Sequence, residues 1–256
     1  MTAVQDTTFT TATAGDDSAA RAVAARKVHG RGDASVVALD SVDVDFATGE
    51  FTAIMGPSGS GKSTLLHTLA GLDDLTSGST WVAGLNWADL NDRQCTKLRR
   101  EQIGFVFQSF NLLPTLSAEE NVRLPLSLAG RKADPEWFDR IIDLVGLRDR
   151  LRHKPGELSG GQQQRVAVAR ALLSKPSVVF ADEPTGNLDS RAGAEILAFM
   201  RTAVRELGQT IVMVTHDPAA AAYADRVVFL ADGQIAGDIA HPTAAQVVDH
   251  LLKIEG

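Results

Sequence analysis

The stretch GEFTAIMGPSGSGKSTLLHTLAGL, Gly49–Leu72, decides how the rest of the chain is read. Its opening, GEFTAIMG, is a short apolar run closed by glycine, the pattern of a buried strand. Its end, GKSTLLHTLAGL, has helical spacing and puts Leu65, Leu66, Leu69 and Leu72 on one side. Between the two, Gly56, Gly61, Lys62 and Ser63 satisfy G-x-x-x-x-G-K-[ST]. Glycines let backbone N–H groups curl round phosphate oxygens, and the positive end of the following helix adds to the attraction. Lys62 is positioned to reach the β and γ phosphates of a nucleotide and Ser63 to ligate Mg²⁺, with Ser58, Gly59 and Thr64 as further loop contacts. The alternative is a plain Gly-Ser turn capping a helix, and the strand–loop–helix context argues against it.

Moving outward, four apolar residues, Val178–Ala181, run into Asp182 and Glu183. A buried strand ending in acids presents them at the carboxyl edge of a sheet, beside the phosphate loop. There Asp182 suits the Mg²⁺ hydration shell, and Glu183 suits polarisation of a water for attack on the γ-phosphate. Two more apolar strands, IGFVF and IVMVT, deliver Gln108 and His216 toward the same edge. Singly, an acid pair is often a solvated strand cap, and a strand-end histidine is more often structural than catalytic. Three strands converging on one phosphate loop favour chemistry. Gln108 would contact Mg²⁺ or the attacking water, and His216 would donate to the γ-phosphate.

A second phosphate-shaped feature lies in GELSGGQQQRVAVARALL, Gly156–Leu173. Ser159 reads as a helix N-cap, Gly160 and Gly161 permit close approach, and the helix runs on until Pro176. A bare Ser-Gly-Gly is most simply a helix cap. Helix N-termini also bind anions, and this one sits apart from the chain's own phosphate loop, which points to a ligand held by another subunit.

The bulk properties agree. A chain of 256 residues can hold one domain, or one domain with an inserted lobe. Its 25 basic and 32 acidic residues leave a net charge of −7, so a global basic footprint for nucleic acid is missing. Cys95 is alone, which rules out an internal disulfide and fits a reducing compartment. No uncharged apolar run approaches the roughly 20 residues that span a bilayer, and the first twenty residues lack the basic and apolar parts of a signal peptide. Work at a membrane would therefore need a span from another polypeptide. Residues 1–24 read as a disordered tail, with order beginning near Arg26. Residues 25–240 read as one domain in which strands alternate with helices, implying a parallel α/β core. A helical lobe at about 111–165 interrupts it, with a Ser117/Glu120 capping box and helical segments at Asp134–Val145 and Gly146–Arg152. A hairpin turning at Asp232-Gly233 follows, and a helix occupies 241–256.

GPSGSGKST, Gln108, LSGGQQQR, VVFADE, GNLDS and His216, in this order and spacing, resemble the nucleotide-binding subunits of ATP-binding cassette (ABC) transporters over about residues 26–240. The resemblance implies a P-loop NTPase (RecA-like) α/β core with a mainly parallel sheet, an antiparallel β subdomain and an inserted α-helical lobe. It implies an ATPase using ATP and Mg²⁺, coupled to transport. It further implies a head-to-tail homodimer in which Ser159 and Gly161 of one copy touch the γ-phosphate held by Lys62 of the other, with Gly160 and Gln162 also among the nucleotide-binding residues. Asn187–Asp189 would be the loop crossing between the two sites, with Asp189 a nucleotide contact. By position, His29 would stack on adenine where tyrosine is commoner. IGFVFQSFNLLPTLSAEENVRLPL with ADEPTGNLDS looks most like the lipoprotein-releasing, macrolide-efflux, antimicrobial-peptide-exporting and cell-division group. Such members imply a separate integral membrane permease, with the subunit peripheral on the inner face of the membrane. The partner's coupling helix would lie near the Gln108 loop against Phe110, Leu112, Leu113 and Pro114; these residues equally suit packing of the lobe on the core. Two other readings stay open: a regulator that controls a membrane partner without transporting anything, and a soluble ATPase acting on DNA or the ribosome. The last generally carries two cassettes or long coiled-coil insertions, which this chain lacks, and no nucleic-acid partner is expected.

Overall fold

A computed structural model describes residues 18–30 and 32–255. In chain order these form β1 (Ser18–His29), β2 (Val36–Ala47), β3 (Phe51–Met55), α1 (Lys62–Leu69), β4 (Ser77–Val82), β5 (Leu85–Asn86), α2 (Asp92–Gln102) and β6 (Ile103–Phe107). Then come α3 (Ala118–Leu128), α4 (Pro135–Val145), α5 (Gly160–Leu173), β7 (Val178–Asp182) and α6 (Ser190–Leu207). The chain finishes with β8 (Ile211–Val214), α7 (Pro218–Ala221), β9 (Arg226–Ala231), β10 (Gln234–Ala240) and α8 (Ala244–Glu255). One sheet has the order β10-β9-β3-β8-β7-β6, and a second, antiparallel sheet has the order β2-β1-β4-β5. In the larger sheet β9, β3, β8, β7 and β6 run parallel, and only β10 opposes its neighbour.

The strict two-residue period of a strand sorts the large sheet into two cores. Phe51, Ala53, Met55, Val179, Ala181, Ile211, Met213, Val227 and Phe229 join Val122, Ile141, Val166, Ile196 and Val247 of the helices. Their immediate neighbours Ile54, Val178, Phe180, Val212, Val214, Val228 and Leu230 face the other way. They meet Leu65, Leu66 and Leu69 of α1 and Leu39, Val42 and Phe46 of the small sheet. Both faces are covered, so these strands read in the sequence as unbroken apolar runs. At such positions a Leu-to-Ala truncation costs about 2–5 kcal/mol.

The helical lobe keeps the expected capping box. Ser117 and Glu120 form a capping box on α3, Asp134 caps α4, and residues Arg148–Arg150 make only a 3₁₀ turn where a helical segment is expected. Asp232 (φ 47°) and Gly233 (φ 75°) are both left-handed, as a type I′ hairpin requires.

The structure departs from the sequence reading in three further places. β1 begins at Ser18, inside the stretch expected to be tail; the remainder of that tail lies outside the described residues. It is built from small buried residues, Ala19, Ala20, Ala22 and Ala25, and a register shift between Ala22 and Ala25, with Ala24 at φ 45°, breaks its alternation. Alanine has little strand preference of its own, and pairing with β2 and β4 on either side overrides it. Leu72 is not part of the α1 stripe: the helix ends at Leu69, Gly71 turns left-handed, and Leu72 is half exposed. Finally, α2 has no counterpart in the sequence reading. Its only buried residue is Leu98, so it carries no apolar stripe, although Asn91 and Gln94 make a capping box at its start.

Candidate functional site

The phosphate loop connects the C-terminal end of β3 to α1. Gly56 is at φ 148° and Gly61 at φ 99°, and a Cβ on either would collide with a backbone carbonyl, that of Leu230 or of Ala38. Glycine is needed at both for space as well as for dihedral angle. Gly61 starts α1 without any side-chain acceptor. The helices α2 to α7 all begin on a side chain, Asn91, Ser117, Asp134, Ser159, Asp189 or Asp217. The first N–H groups of α1 are therefore left to whatever anion the loop holds. At its other end α1 is fixed by Trp87, whose indole N–H donates to the Leu69 carbonyl at 2.9 Å. Lys62 is half-buried, and its ammonium donates to the Gly56 carbonyl at 2.9 Å and the Pro57 carbonyl at 2.6 Å. Burial pulls its pKa below the ordinary lysine value, while Glu183 and Asp182 pull the other way.

The parallel register brings the acid strand to the same edge. Phe107 pairs with Asp182 and Asp182 with Val214, so β6, β7 and β8 end together, with β3 next to β8. Asp182 accepts from Ser63 Oγ at 3.1 Å. Its other oxygen lies 3.5 Å from His67 Nε2. His67 was not singled out in the sequence, yet it sits four residues after Ser63 on the same face of α1, a spacing legible in GKSTLLH. Glu183 adopts φ 47°, an uncommon conformation for a non-glycine residue that is held here by Glu183 N donating to Val214 O and Gly186 N to Glu183 O. Its carboxylate contacts His216 Nδ1 at 2.9 Å. The imidazole is far more exposed than the carboxylate, 73% against 18%.

Gln108 emerges at this edge but its amide donates to Asn187 Oδ1 at 3.3 Å, and Asn187 Nδ2 returns a bond to the Gln108 carbonyl at 3.0 Å. It thus joins the Asn187 loop, rather than Ser63 and Asp182, in this conformation. Beyond it, Phe110 (φ 60°) and Asn111 (φ 49°) are held by the Arg170 guanidinium, which donates to both carbonyls at 2.9 and 2.6 Å. Leu112 packs on the core, while Leu113 and Pro114 are exposed and Phe110 is half-buried. A cleft of about 210 Å³ lies alongside, lined by Phe105, Phe107, Asn111, Pro125 and Arg170 among others.

Ser159 caps α5 through a reciprocal pair: Ser159 Oγ accepts from Gln162 N at 3.3 Å, and Gln162 Oε1 accepts from Ser159 N at 2.9 Å. A cleft of about 340 Å³ opens there, lined by Ser159, Gly160, Gly161, Gln162, Asn187 and Asp189 among others, none of them from the phosphate loop. Asp189 caps α6 through the Arg191 and Ala192 N–H groups. His29 lies exposed at the end of β1, opposite Val36 of β2.

Residues 39–186 match the ABC transporter family. The chain belongs to that family. This ABC ATPase is 46% identical over 219 residues to lipoprotein-releasing system ATP-binding protein LolD 1 of Chlorobium chlorochromatii, covering 84% of this chain and 89% of the relative. It is 46% identical over 216 residues to the macrolide export ATP-binding/permease protein MacB of Burkholderia pseudomallei, covering 83% of this chain and 33% of that longer protein. The fold matches a solved dimeric ATP-binding cassette in a post-hydrolysis state bound to ADP and phosphate, with a TM-score of 0.78 and 40% identity, covering 88% of this chain and 99% of that one. It is an ATP-binding, ATP-hydrolysing domain with the P-loop NTPase core, antiparallel subdomain and helical lobe that the sequence implied.

Proposed function

We propose that this ABC ATPase works as a head-to-tail homodimer whose two ATP sites are each shared between copies. The carrying observation is the separation within one copy: the cleft at Ser159–Gln162 is bounded by the Asn187–Asp189 loop and by no phosphate-loop residue. Lys62, with the N-terminus of α1, holds the phosphates of one ATP; Ser159 and Gly161 of the opposite copy close over the γ-phosphate. The dimeric cassette noted above supports this pairing. His29 stacks on adenine from the end of β1.

Ser63 and Asp182 are the residues to hold Mg²⁺. Among the described residues no group of three or more His, Cys, Asp or Glu side chains is gathered for a metal. One carboxylate beside one hydroxyl fits Mg²⁺, which keeps several waters and takes further oxygens from phosphate. When bound, the ion neutralises charge on the β and γ phosphates. Glu183 polarises the attacking water, His216 orients Glu183 and donates toward the γ-phosphate, and Gln108, bonded to Asn187 in this conformation, contacts Mg²⁺ or the attacking water once it turns into the site.

The work is delivered to a separate membrane permease. Among the described residues no helix is long and apolar enough to cross a membrane, and MacB carries ATP-binding and permease functions in one longer chain. The names LolD and MacB support an exporter of the lipoprotein-releasing or macrolide-efflux kind, acting at the inner face of the membrane. The permease helix docks beside Leu113, Pro114 and the cleft at Arg170. Mixing Lys62→Ala with Ser159→Arg chains tests the shared site. Each variant alone should be inactive, and the mixture should recover part of the ATPase activity, because one of its two sites escapes both substitutions. Full activity in isolated monomers would overturn the dimer.

A further inference from the structure

Gln164 is a fully buried polar side chain on α5, five residues after Ser159. Its Nε2 donates to the Phe107 carbonyl at 3.3 Å and to the Pro184 carbonyl at 2.5 Å. Phe107 is the residue before Gln108, and Pro184 is the residue after Glu183. One amide therefore ties together the two backbone segments from which Gln108 and Glu183 project. Its Oε1 is buried and has no partner among the described residues. The desolvation of that oxygen offsets part of what the amide contributes to the fold. Its two donated bonds, both aimed at the reacting edge, are what the side chain provides.

The Glu183 turn needs such a hold. Glu183 sits at φ 47°, and a strained residue persists only where its surroundings over-determine it. Its neighbour Pro184 has no N–H to contribute, so the carbonyl is the one backbone polar group that residue offers. That handle is taken by Gln164.

We propose that Gln164 is a positioning residue for hydrolysis, fixing the Glu183 turn and the root of Gln108 to the helix that begins at Ser159. α5 is a continuous helix of 14 residues, so Ser159 and Gln164 move as one body about 7 Å apart along its axis. A phosphate pressed on Ser159 by the opposite copy is thereby felt at Glu183 of the same copy. The site that lends Ser159 and the site that uses Glu183 belong to different ATP molecules, so Gln164 links the two. This rests on the proposed roles of Glu183 and Ser159.

The test compares Gln164→Met, which fills the space without a donor, with Gln164→Glu, whose buried carboxyl can donate only when protonated. Expected for Gln164→Met is a fall in kcat of ten-fold or more, with KM for ATP within about two-fold and a thermal midpoint lowered by the lost donor to the Pro184 carbonyl, Phe107 O keeping Phe110 N. For Gln164→Glu, kcat relative to the unsubstituted chain should recover as pH is lowered, because burial raises a carboxyl pKa. A Gln164→Met chain that turns over normally below its own unfolding midpoint overturns the proposal, even if that midpoint drops. If Gln164→Met fails to fold, a Gln164→Glu chain whose relative kcat does not depend on pH overturns it equally. Glu183→Gln keeps the two questions apart. Normal turnover there removes Glu183 from the chemistry, whereas an inactive Glu183→Gln beside a fully active Gln164→Met removes only Gln164.

Discussion

Two helices in this molecule begin at glycine-rich, phosphate-shaped turns, and they begin differently. α1 starts at Gly61 with no side-chain acceptor for its leading N–H groups, beside a lysine that lies over its own loop. α5 starts at Ser159 with a complete capping box, Ser159 and Gln162 satisfying each other. The first start has hydrogen-bonding capacity in hand and a cation next to it, the make-up of a primary binding site. In the second, the capping box satisfies the N–H groups of Ser159 and Gln162. What it has to offer an anion is the remaining Ser159 hydroxyl proton and the backbone of Gly160 and Gly161; a Cβ on Gly160 would make ordinary contact with Leu188 and Phe110, and one on Gly161 would crowd Ala192 Cβ at 3.1 Å. Such a surface suits a phosphate already held by something else.

The sharpest way to probe the first region is through its reaction. Glu183→Gln should lower kcat by about 10²–10⁴-fold while ATP binding persists, so that an ATP-bound dimer accumulates in sizing experiments. Ordinary turnover would remove Glu183 as the base. Next in size, Lys62→Ala should weaken ATP binding by roughly 10–100-fold in titration calorimetry, the worth of one charge-assisted contact. The same lysine sets a pH dependence. Its ammonium is needed for binding, and burial lowers its pKa, opposed by Glu183 and Asp182. Affinity should therefore be full below that lowered pKa and decline as pH rises through it, earlier than a free lysine would dictate. The smallest effect belongs to the second region. Ser159→Ala should remove about 1 kcal/mol of stability by uncapping α5, visible in urea unfolding, and should leave ATP affinity of the dilute, monomeric chain unchanged. A loss of monomer affinity there would erase the distinction between the two helix starts.

Much of this was legible because the chemistry demands unusual residues at fixed spacing. GPSGSGKST cannot be rearranged without losing either the space at Gly56 and Gly61 or the cation, and the runs VVFADE and IVMVTH announce buried parallel strands by their lack of alternation. The parallel register then carries Gln108, Asp182, Glu183 and His216 to one edge, as three converging strands implied. What stayed hidden depends on tertiary pairing. β1 is a strand of alanines stabilised by its neighbours, and α2 buries only Leu98. His67 and Gln164 lie inside recognisable motifs: the spacing of GKSTLLH puts His67 on the Ser63 face of α1, but no spacing tells that Gln164 bridges Phe107 to Pro184. The orientation of Gln108 toward Asn187 is likewise a property of the folded loop.

Trp87 carries a practical consequence. Its indole N–H is bonded to the last turn of the helix whose first turn carries Lys62 and Ser63, and the Arg99 guanidinium lies 5.9 Å above its ring. The chain has three tryptophans, so replacing Trp81 and Trp137 with phenylalanine leaves one emitter at the far end of α1. Occupancy of the nucleotide site then becomes a colour and intensity measured in an ordinary cuvette, in real time and without a label, on either copy of a mixed dimer chosen to carry it.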